Sequence, residues 1–536
     1  MAPHLVALPS PLPAPPRPRT APGYRLRRVS FAAAALLAAA AAVPSCASEP
    51  PPAPVTPQPT GPAAAVQPPA FTPPPVASPA AREDQRTRER REIAEAVWRT
   101  VREKHYDPKL GGVDWDAMLK KYEPRALAAP DDATFYRTLN DMLGELGQSH
   151  MMVTGPGAAD DQLEQEQPPP QEQSPSSPRA PADTTGPEDV GDPGVLVRVI
   201  DGRPTVTAVR AGSSADRHGI KPGFLVTAIG GRPLSAVAAS RRSLRPVEER
   251  FAIRRAALRR LEGPAGTKVT FAYLDNADHP GQVILDRDPP PGPLRQVGYL
   301  PPLHPELRAY EVNGVGVLAF NIFLLDPLLG DIKKSMDRFQ AQHVKGLILD
   351  LRGNPGGLAA MAIPVAAELV TTPTSLGSML MRDNTRTDTV ATFSQTFAVQ
   401  PAPGRKPYAG PLLILTDEGT ASASEILAAG LQEAGRARVV GDASLGAVLP
   451  SVVESLPHGA VMQVVVADFK TPKGVLLEGR GVQPDQRVLE TRAAFASGHD
   501  PVLDAAVAAL RAGPPAPRRP RDASTETKSN ARSGKP

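Results

Sequence analysis

The stretch that most constrains the fold is an apolar strand pattern that runs straight into a helical pattern. The apolar residues Leu412–Leu415 are followed by a polar turn containing Gly419 and by an alanine-rich helical pattern to about Gly430. Ser422 is therefore predicted at a strand-to-helix corner, where unpaired N–H groups and the helix dipole stabilise an oxygen anion. Ser422 and Glu425 also match a capping box, so a purely structural role for this serine stays open.

A second corner of the same kind precedes the first. The apolar strand 346–351 runs into the Gly- and Pro-rich turn 352–357 and then into a helix predicted over 359–369. Further strands are predicted at 316–320, 439–440 and 462–467, so residues 291–512 are expected to form an α/β core. Because ligands gather at the carboxyl ends of strands in such sheets, both corners are expected to face one crevice.

The N-terminal region has the composition of an export signal and a spacer. Arginines at 25–28 precede an alanine-rich apolar run at 29–43, which is short for a membrane span but fits a signal-peptide core. The following Val43-Pro-Ser-Cys46 resembles a bacterial lipobox, which implies acylation of Cys46; an ordinary cleaved signal with a chance cysteine is the alternative. Residues 47–85 are rich in Pro and Ala and are expected to be a disordered linker.

Residues 86–155 are predicted to form a helical domain. Ile93, Val97 and Val101 recur at helical spacing, a second helix starts at Asp114, and Asp132 is expected to cap a third. Directly after the third helix, Ser149 and His150 lie in a Gly-bounded turn. A histidine held there can face a cleft and act as a base, or it can simply pack under the helices.

A second linker and a β-rich domain follow. Residues 156–193 are acidic, rich in Pro and Gln, and expected to be disordered, whereas 194–290 show short strand patterns with turn punctuation. The segment 211–223 resembles the strand, short helix and Lys-Pro-Gly turn of PDZ domains, which implies peptide binding near Gly194, Val195 and Leu196. A charged helical insertion at 241–261 departs from the usual PDZ length, and a purely structural β-domain remains the alternative.

Charge and cysteine content exclude several classes of function. The net charge of +4 is spread over 536 residues without a basic patch interleaved with aromatics, which argues against nucleic acid as a partner. One cysteine excludes an internal disulfide and a multi-cysteine zinc site, and no cofactor or metal is expected. A last apolar helix is predicted at 498–511, and the basic tail 513–536 is expected to be disordered.

Four ordered motifs resemble the C-terminal processing (tail-specific) serine peptidases. They are Leu349-Asp-Leu-Arg-Gly-Asn-Pro-Gly-Gly357, Glu418-Gly-Thr-Ala-Ser-Ala-Ser-Glu-Ile426, the segment 435–441 and the segment 471–485. The resemblance implies an α/β peptidase core of that type with a helical N-terminal segment and an inserted PDZ-like domain. It also implies that Ser422 is the nucleophile, that Gly356 and Ala423 are oxyanion donors, and that the substrates are extended or C-terminal segments of proteins or peptides.

One catalytic residue of that family is missing. The family's lysine would fall at position 447, which is Ala, so a Ser/Lys dyad is excluded here. The related tricorn-type cores use a Ser-His pair and a glutamate, which Ser149, His150 and Glu478 match; this resemblance implies that His150 is the base. Displaced lysines at Lys470 or Lys473 and a silent peptide-binding adaptor are the alternatives, while His458 is expected in a hairpin turn.

Overall fold

The computed structural model describes residues 79–156, 190–239, 244–289, 292, 295, 304–324, 327–383 and 391–512. The predicted signal segment with Cys46, most of both linkers and the C-terminal tail lie outside the described residues. No helix within the described ranges combines the length and the apolarity needed to cross a membrane.

The helical segment forms as the spacing of its apolar residues predicts. Its elements are helix α1 (Pro79–Lys104), helix α2 (Trp115–Leu127), helix α3 (Asp132–Gly144) and strand β1 (Met152–Thr154). Asp114 caps α2 as expected, by accepting a hydrogen bond from the Ala117 N–H. The cap of α3 was predicted one residue late: Asp131 accepts from the Thr134 N–H, whereas Asp132 pairs with Arg90 at 2.9 Å.

A β-rich module at residues 190–288 follows. Its elements are β2 (Val190–Gly191), β3 (Val195–Ile200), β4 (Arg203–Val209), α4 (Ser214–Arg217), β5 (Leu225–Ile229), β6 (Arg232–Pro233), α5 (Ser235–Ala239), α6 (Pro246–Leu261), β7 (Gly263–Pro264), β8 (Lys268–Leu274) and β9 (Pro280–Asp286). The sheet has the strand order β3-β4-β5-β8-β9, so β3 is an edge strand, and helix α6 packs against the sheet with Ile253, Ala257 and Leu261.

The rest of the described chain is the predicted α/β core. Its elements are β10 (Leu307–Val312), β11 (Val315–Phe320), α7 (Leu328–Ala341), β12 (Gly346–Asp350), α8 (Ala362–Ala367), β13 (Thr374–Asp383), β14 (Ala391–Val399), β15 (Leu412–Thr416), α9 (Ala423–Glu433), β16 (Arg438–Gly441), β17 (Ser451–Ser455), β18 (Val461–Val465), β19 (Ala467–Lys470), β20 (Gln486–Arg487), α10 (Arg492–Ala496) and α11 (Pro501–Ala512). The main sheet has the order β10-β11-β12-β15-β16-β20, in which β10 is antiparallel to β11 and the other five strands are parallel to one another.

Helices cover both faces of the main sheet. Phe339 of α7, Val365 of α8 and Leu427 of α9 pack on one face, while Val507 and Leu510 of α11 pack on the other. Burial on both faces explains why the central strands read as continuous apolar runs. Strands β12 and β15 are neighbours in this sheet, so the turns at their carboxyl ends lie side by side, as the sequence predicts.

The β-rich module is joined to the core through Asp417, which follows strand β15 and is fully buried. Its Oδ2 lies 3.1 Å from Nε of Arg198 on β3 and 2.8 Å from Nη1 of Arg254 on α6. Its Oδ1 accepts the N–H groups of Gly353 and Gly419 at 2.8 and 2.9 Å. Burial raises the pKa of Asp417, but Arg254 and Arg198 outweigh it and hold this pKa well below its usual range. One carboxylate thus ties two elements of the module to both strand-to-helix corners.

Replacing Asp417 by Asn should destabilise the protein strongly. The change leaves two buried guanidinium groups without their shared carboxylate, and breaking a buried pair costs about 3–5 kcal/mol. Urea denaturation followed by far-UV circular dichroism measures the loss. Asp331→Asn removes only an exposed pair with Lys334, and its stability should stay within about 0.5 kcal/mol of the parent protein. Equal effects of the two substitutions would contradict the role assigned to Asp417.

Candidate active site

Ser422 lies at the start of helix α9 in a strained backbone conformation. Its φ is 53° and its ψ is −120°, a region that residues with a side chain rarely adopt. Such strain costs of the order of 1–3 kcal/mol and is characteristic of functional sites. An ordinary N-cap has extended backbone angles instead. The sharp turn resembles the strained strand-to-helix turns that expose nucleophilic serines.

The turn after β12 lies against Ser422, which brings the two corners together. A Cβ atom placed on Gly356 would lie 2.7 Å from Cβ of Ser422 and 2.9 Å from the Ala423 nitrogen. Only glycine fits this position, and its φ of 99° also favours glycine. The predicted oxyanion residues Gly356 and Ala423 therefore flank the serine.

The backbone N–H groups of Gly356 and Ala423 differ in whether they are already hydrogen-bonded. The Gly356 N–H donates to Oδ1 of Asn354 at 2.9 Å, so a substrate oxygen would have to share or replace that bond. The Ala423 N–H, at the first position of α9, has no acceptor among the described residues. Ala423 is therefore the donor already available for an oxyanion.

One peptide group links Ser422 to Glu478. The Ser422 N–H donates to the carbonyl oxygen of Ala447 at 2.8 Å, and the N–H of the same peptide group, from Val448, donates to Oε2 of Glu478 at 3.0 Å. Ala447, where the related peptidases carry a lysine, thus contributes its backbone to the site.

Glu478 in turn holds Ser149 and, through it, His150. Oε1 of Glu478 accepts the Ser149 N–H at 2.8 Å, and Oε2 accepts the Ser149 hydroxyl at 3.1 Å. The Ser149 Oγ lies 2.7 Å from Nδ1 of His150. Glu478 is therefore joined by hydrogen bonds to Ser149, which lies 329 positions earlier in the sequence, and through Ser149 to His150.

Strand pairing and a side-chain contact fix the position of the segment that carries His150. Strand β1 pairs with β18 in the register Val153↔Met462, directly after His150. On the other side, Oε1 of Gln148 lies 2.7 Å from Nε2 of the buried His105. His150 itself has a φ of 59°, so both residues predicted to transfer the proton lie in unfavourable backbone regions. Burial lowers the pKa of His150 while the charge of Glu478 opposes this, and the net shift favours the neutral imidazole.

Beneath the serine lies Glu425, a fully buried carboxylate with four donors. It accepts the N–H groups of Ser422, Gly446 and Ala447 at 2.8–3.0 Å and the Ser444 hydroxyl at 2.5 Å. The sequence indicated Glu425 only as part of a capping box, yet it also fixes the loop that carries Ala447. Burial raises the pKa of Glu425 to about 7, although the Ser444 hydroxyl and the backbone N–H groups pull it down.

The other residues singled out in the sequence lie elsewhere. Lys470 and Lys473 are exposed at and just beyond the end of β19. His458 lies in the turn between β17 and β18, as predicted, and its Nε2 is 2.8 Å from Glu92. Gly194, Val195 and Leu196 lie at the start of the edge strand β3. No cluster of three His, Cys, Asp or Glu side chains suited to a metal ion occurs in the described ranges.

The sequence analysis did not identify Asn354 and Asp417, whose hydrogen bonds hold the turns after β12 and β15. The Asn354 side chain donates to the Phe320 carbonyl at 2.8 Å and accepts the Gly356 N–H, and its own carbonyl accepts the Ala421 N–H at 3.1 Å. Both residues are polar, both lie in the turn that follows a buried strand, and both are fully buried. A polar residue of this kind was the available signal, since a buried polar group needs several partners.

Comparisons with known proteins support a serine-type peptidase. The Peptidase family S41 model matches residues 314–488, and the Tricorn protease C1 domain model matches residues 86–144. These matches, together with the relatives below, support the carboxyl-terminal processing serine peptidase family S41 for this chain.

Relatives of similar length support this assignment. Carboxyl-terminal-processing peptidase 3 of Arabidopsis thaliana, a chloroplastic protein, is 28% identical over 76% of this chain and 71% of its own length. A carboxyl-terminal-processing protease of Synechocystis is 26% identical over 74% of this chain and 81% of its own. Among solved structures, mature CPAF superposes with a TM-score of 0.53 at 16% identity, covering 79% of this chain and 99% of CPAF, which shows a shared fold.

Glu425 should make stability depend on pH in an unusual direction. Its pKa is about 7 in the folded state against the ordinary value of 4.5, so the folded protein holds more protons between these values. Stability should therefore fall as the pH rises from 4.5 to 7, by an amount on the order of 3 kcal/mol relative to Glu425→Gln.

Urea denaturation of both proteins at several pH values measures this difference. Glu311→Gln, at an exposed position of β10, is the matched control and should follow the parent protein. Parallel stability curves for the parent and Glu425→Gln would show that this carboxyl does not titrate in that range.

Proposed function

We propose that this chain is a serine endopeptidase of the bacterial cell envelope that cleaves protein or peptide substrates. Ser422 is the nucleophile and His150 is the general base. Glu478 and Ser149 orient the imidazole, and Ala423 and Gly356 donate to the oxyanion. The observation that carries the proposal is the continuous set of hydrogen bonds from Ser422, through the peptide group of Ala447 and Val448, to Glu478, Ser149 and His150.

The hydrogen bonds also support one tautomer of His150. Since the Ser149 hydroxyl donates its proton to Glu478, its oxygen must accept a proton from Nδ1 of His150. Nε2 is then the unprotonated nitrogen, which suits it to take the Ser422 proton as Oγ attacks the substrate carbonyl. The same proton passes to the leaving amine when the peptide bond breaks, and water repeats the sequence to release the acyl group.

The oxyanion of the tetrahedral intermediate would be stabilised at the start of α9. The Ala423 N–H is available there, and the Gly356 N–H would contribute once its bond to Asn354 is exchanged for the substrate oxygen. Loss of one such donor typically costs a hundred- to a thousandfold in rate, about 3–4 kcal/mol. The positive end of the α9 dipole adds to this stabilisation.

The β-rich module would act as a PDZ-like domain that captures the substrate. Strand β3 lies at the sheet edge beside α6, and an extended peptide can add to such an edge as a further strand. Gly194 precedes that strand and Val195 and Leu196 begin it; their backbone N–H groups would hold the peptide's terminal carboxylate once the Gly194 N–H exchanges its bond to Oδ1 of Asp192. Arg198 on the same strand reaches the catalytic turn through Asp417.

A location at the cell envelope fits the N-terminal sequence. Residues 25–46 carry basic residues, an apolar run and a lipobox-like end at Cys46. Export, acylation of Cys46 and a proline-rich spacer that ends where α1 begins at Pro79, earlier than the predicted boundary at residue 85, would place the peptidase on the periplasmic side, anchored to a membrane by lipid.

A catalytically silent peptide-binding adaptor is the second candidate, and Ala447 is the observation that favours it. The lysine that activates the serine in related peptidases is absent, and the methyl group of Ala447 cannot accept a proton. The oriented Ser149, His150 and Glu478 argue for the peptidase, because an adaptor has no physical need for them.

Labelling with a fluorophosphonate probe decides between these candidates. An activated serine forms a covalent adduct, so the parent protein should be labelled at Ser422 and Ser422→Ala should not be. Ser455→Ala, at an exposed position of β17, is the control and should label like the parent. An unlabelled parent protein that still binds peptides would favour the adaptor.

Replacing His150 by Ala should lower kcat/KM by at least about a hundredfold, since general base catalysis contributes that much or more. The parent enzyme should lose activity on the acid side as the neutral imidazole becomes protonated. Because burial lowers the His150 pKa, this limb should lie below the ordinary value of 6.5. Measuring kcat/KM between pH 4.5 and 8 tests both expectations.

His458→Ala is the matched control, since this histidine lies in an exposed turn outside the site, and it should retain full activity. If Lys470→Ala or Lys473→Ala abolishes cleavage while His150→Ala does not, a displaced lysine is the base and the proposed mechanism is wrong.

A further inference from the structure

His105 is a fully buried histidine that the proposed mechanism does not use. It directly follows helix α1, and both nitrogens of its ring have partners. Nδ1 accepts the Asp107 N–H at 3.1 Å and lies 3.0 Å from the Asp107 carbonyl oxygen, while Nε2 lies 2.7 Å from Oε1 of Gln148. Because an amide oxygen only accepts, the contact with Gln148 supports a proton on Nε2. His105 therefore donates to the residue that precedes Ser149 and His150.

The surroundings of His105 leave its ring little freedom to move. The Tyr106 ring stacks on it, with the centroids 4.7 Å apart and an angle of 28° between the ring planes. The Asp107 carboxylate accepts the N–H groups of Lys109 and Gly111 at 2.9 and 2.8 Å, which closes the turn after α1. A buried ring in a closed turn is a fixed point to which another segment of the chain can be attached.

The turn that carries His150 is attached to that point on one side only. Behind it, Glu478 accepts the Ser149 N–H at 2.8 Å. Ahead of it, the contact with His105 is the one hydrogen bond that Gln148 makes within the described part of the chain. Loss of this contact would therefore release the side of the turn that precedes Ser149.

The chain beyond His150 is fixed independently of His105. Asn140 of α3 donates from Nδ2 to the Val153 carbonyl oxygen at 2.9 Å, and its Oδ1 accepts the Val153 N–H at 2.8 Å. Val153 is also in register with Met462 of β18. The contact with His105 thus constrains the turn itself and not the strand that follows it.

We propose that His105 is a positioning residue for the general base. Through Gln148 it fixes the turn of Ser149 and His150. The imidazole of His150 then keeps the orientation that transfer of the Ser422 proton needs, and a misplacement of about 1 Å can cost a hundredfold in rate. This role rests on the proposed peptidase function, because it concerns the group that takes the serine proton.

Two amide variants separate the two contacts of His105. The Asn side chain reaches only the position of Nδ1, so His105→Asn keeps an acceptor for Asp107 and loses the contact with Gln148. The longer Gln side chain reaches the position of Nε2, so His105→Gln keeps a donor for Gln148. We expect kcat to fall about tenfold or more in His105→Asn and to stay near the parent value in His105→Gln, with KM within about twofold in both. Steady-state kinetics of the full-length enzyme on a fluorogenic peptide measure this, and equal losses of kcat in the two variants would contradict the positioning role.

Gln148→Met removes the same contact from the other side, at a half-buried position. It should lower kcat as His105→Asn does, and the double variant should be no slower than the slower single variant, since both changes act through one bond. Losses that multiply would show independent effects and overturn the proposal. If the variants of His105 do not fold, an unchanged kcat in Gln148→Met would overturn it alone. Gln340→Met, at a half-buried position of α7 where the side chain donates to the Lys406 carbonyl, is the matched control and should keep the parent kcat.

The pH profile distinguishes a positioning residue from a group that titrates in catalysis. In the proposed role, the acid limb of kcat/KM belongs to His150, so it should persist in His105→Gln. Disappearance of that limb in His105→Gln would assign the titration to His105 and contradict the positioning role.

Fluorophosphonate labelling keeps this proposal separate from the peptidase function. A labelled, active parent protein whose His105→Asn and Gln148→Met variants keep the parent kcat would overturn the positioning role and leave the peptidase function intact. A parent protein that is neither labelled nor active would refute the peptidase function, and the positioning role with it.

Discussion

Two carboxylates hold the loop that carries Ala447, and the geometry of the site depends on them. Glu425 binds the loop from below through Ser444, Gly446 and Ala447, and Glu478 binds the next N–H group. Between these two anchors, one peptide group accepts the Ser422 N–H. The Ser422 N–H donates both to this carbonyl and to Oε2 of Glu425. These bonds stabilise the strained backbone angles of Ser422, so the loop and the serine constrain each other.

Specific contacts also position the β-rich module and the segment that carries His150. Asp417 joins two elements of the β-rich module to the turns that carry Gly353 and Gly419. On the opposite side, the pairing of β1 with β18 fixes the segment that carries His150. Groups far apart in the chain are thus placed by buried polar contacts and strand register, each of which tolerates little displacement.

Local sequence patterns were sufficient to predict the architecture, but not the buried polar residues that connect its turns. The strand-to-helix corner at Ser422 followed from an apolar run ending in a Gly-containing turn, and β15 and α9 confirm it. The hairpin of β13 and β14 was missed, although both strands are nine or more residues long. Much of β14 is exposed, so burial does not impose the clear alternation that marks a strand. Asn354 and Asp417 were missed because their partners lie in other segments, a relation that no local pattern reports.

The proposed base is an imidazole, and its chemistry suits a site in which position 447 is Ala. A lysine must lose several pKa units through burial before it can accept a proton near neutral pH, and that burial costs stability. An imidazole is already half-neutral there, and the burial of His150 favours the neutral form further. What an imidazole needs instead is a fixed orientation, because only one of its two nitrogens can act. In the proposed mechanism Ser149 meets that need by contacting Nδ1, and Glu478 holds Ser149 in place, so the demand on the protein shifts from desolvating a charge to orienting a ring.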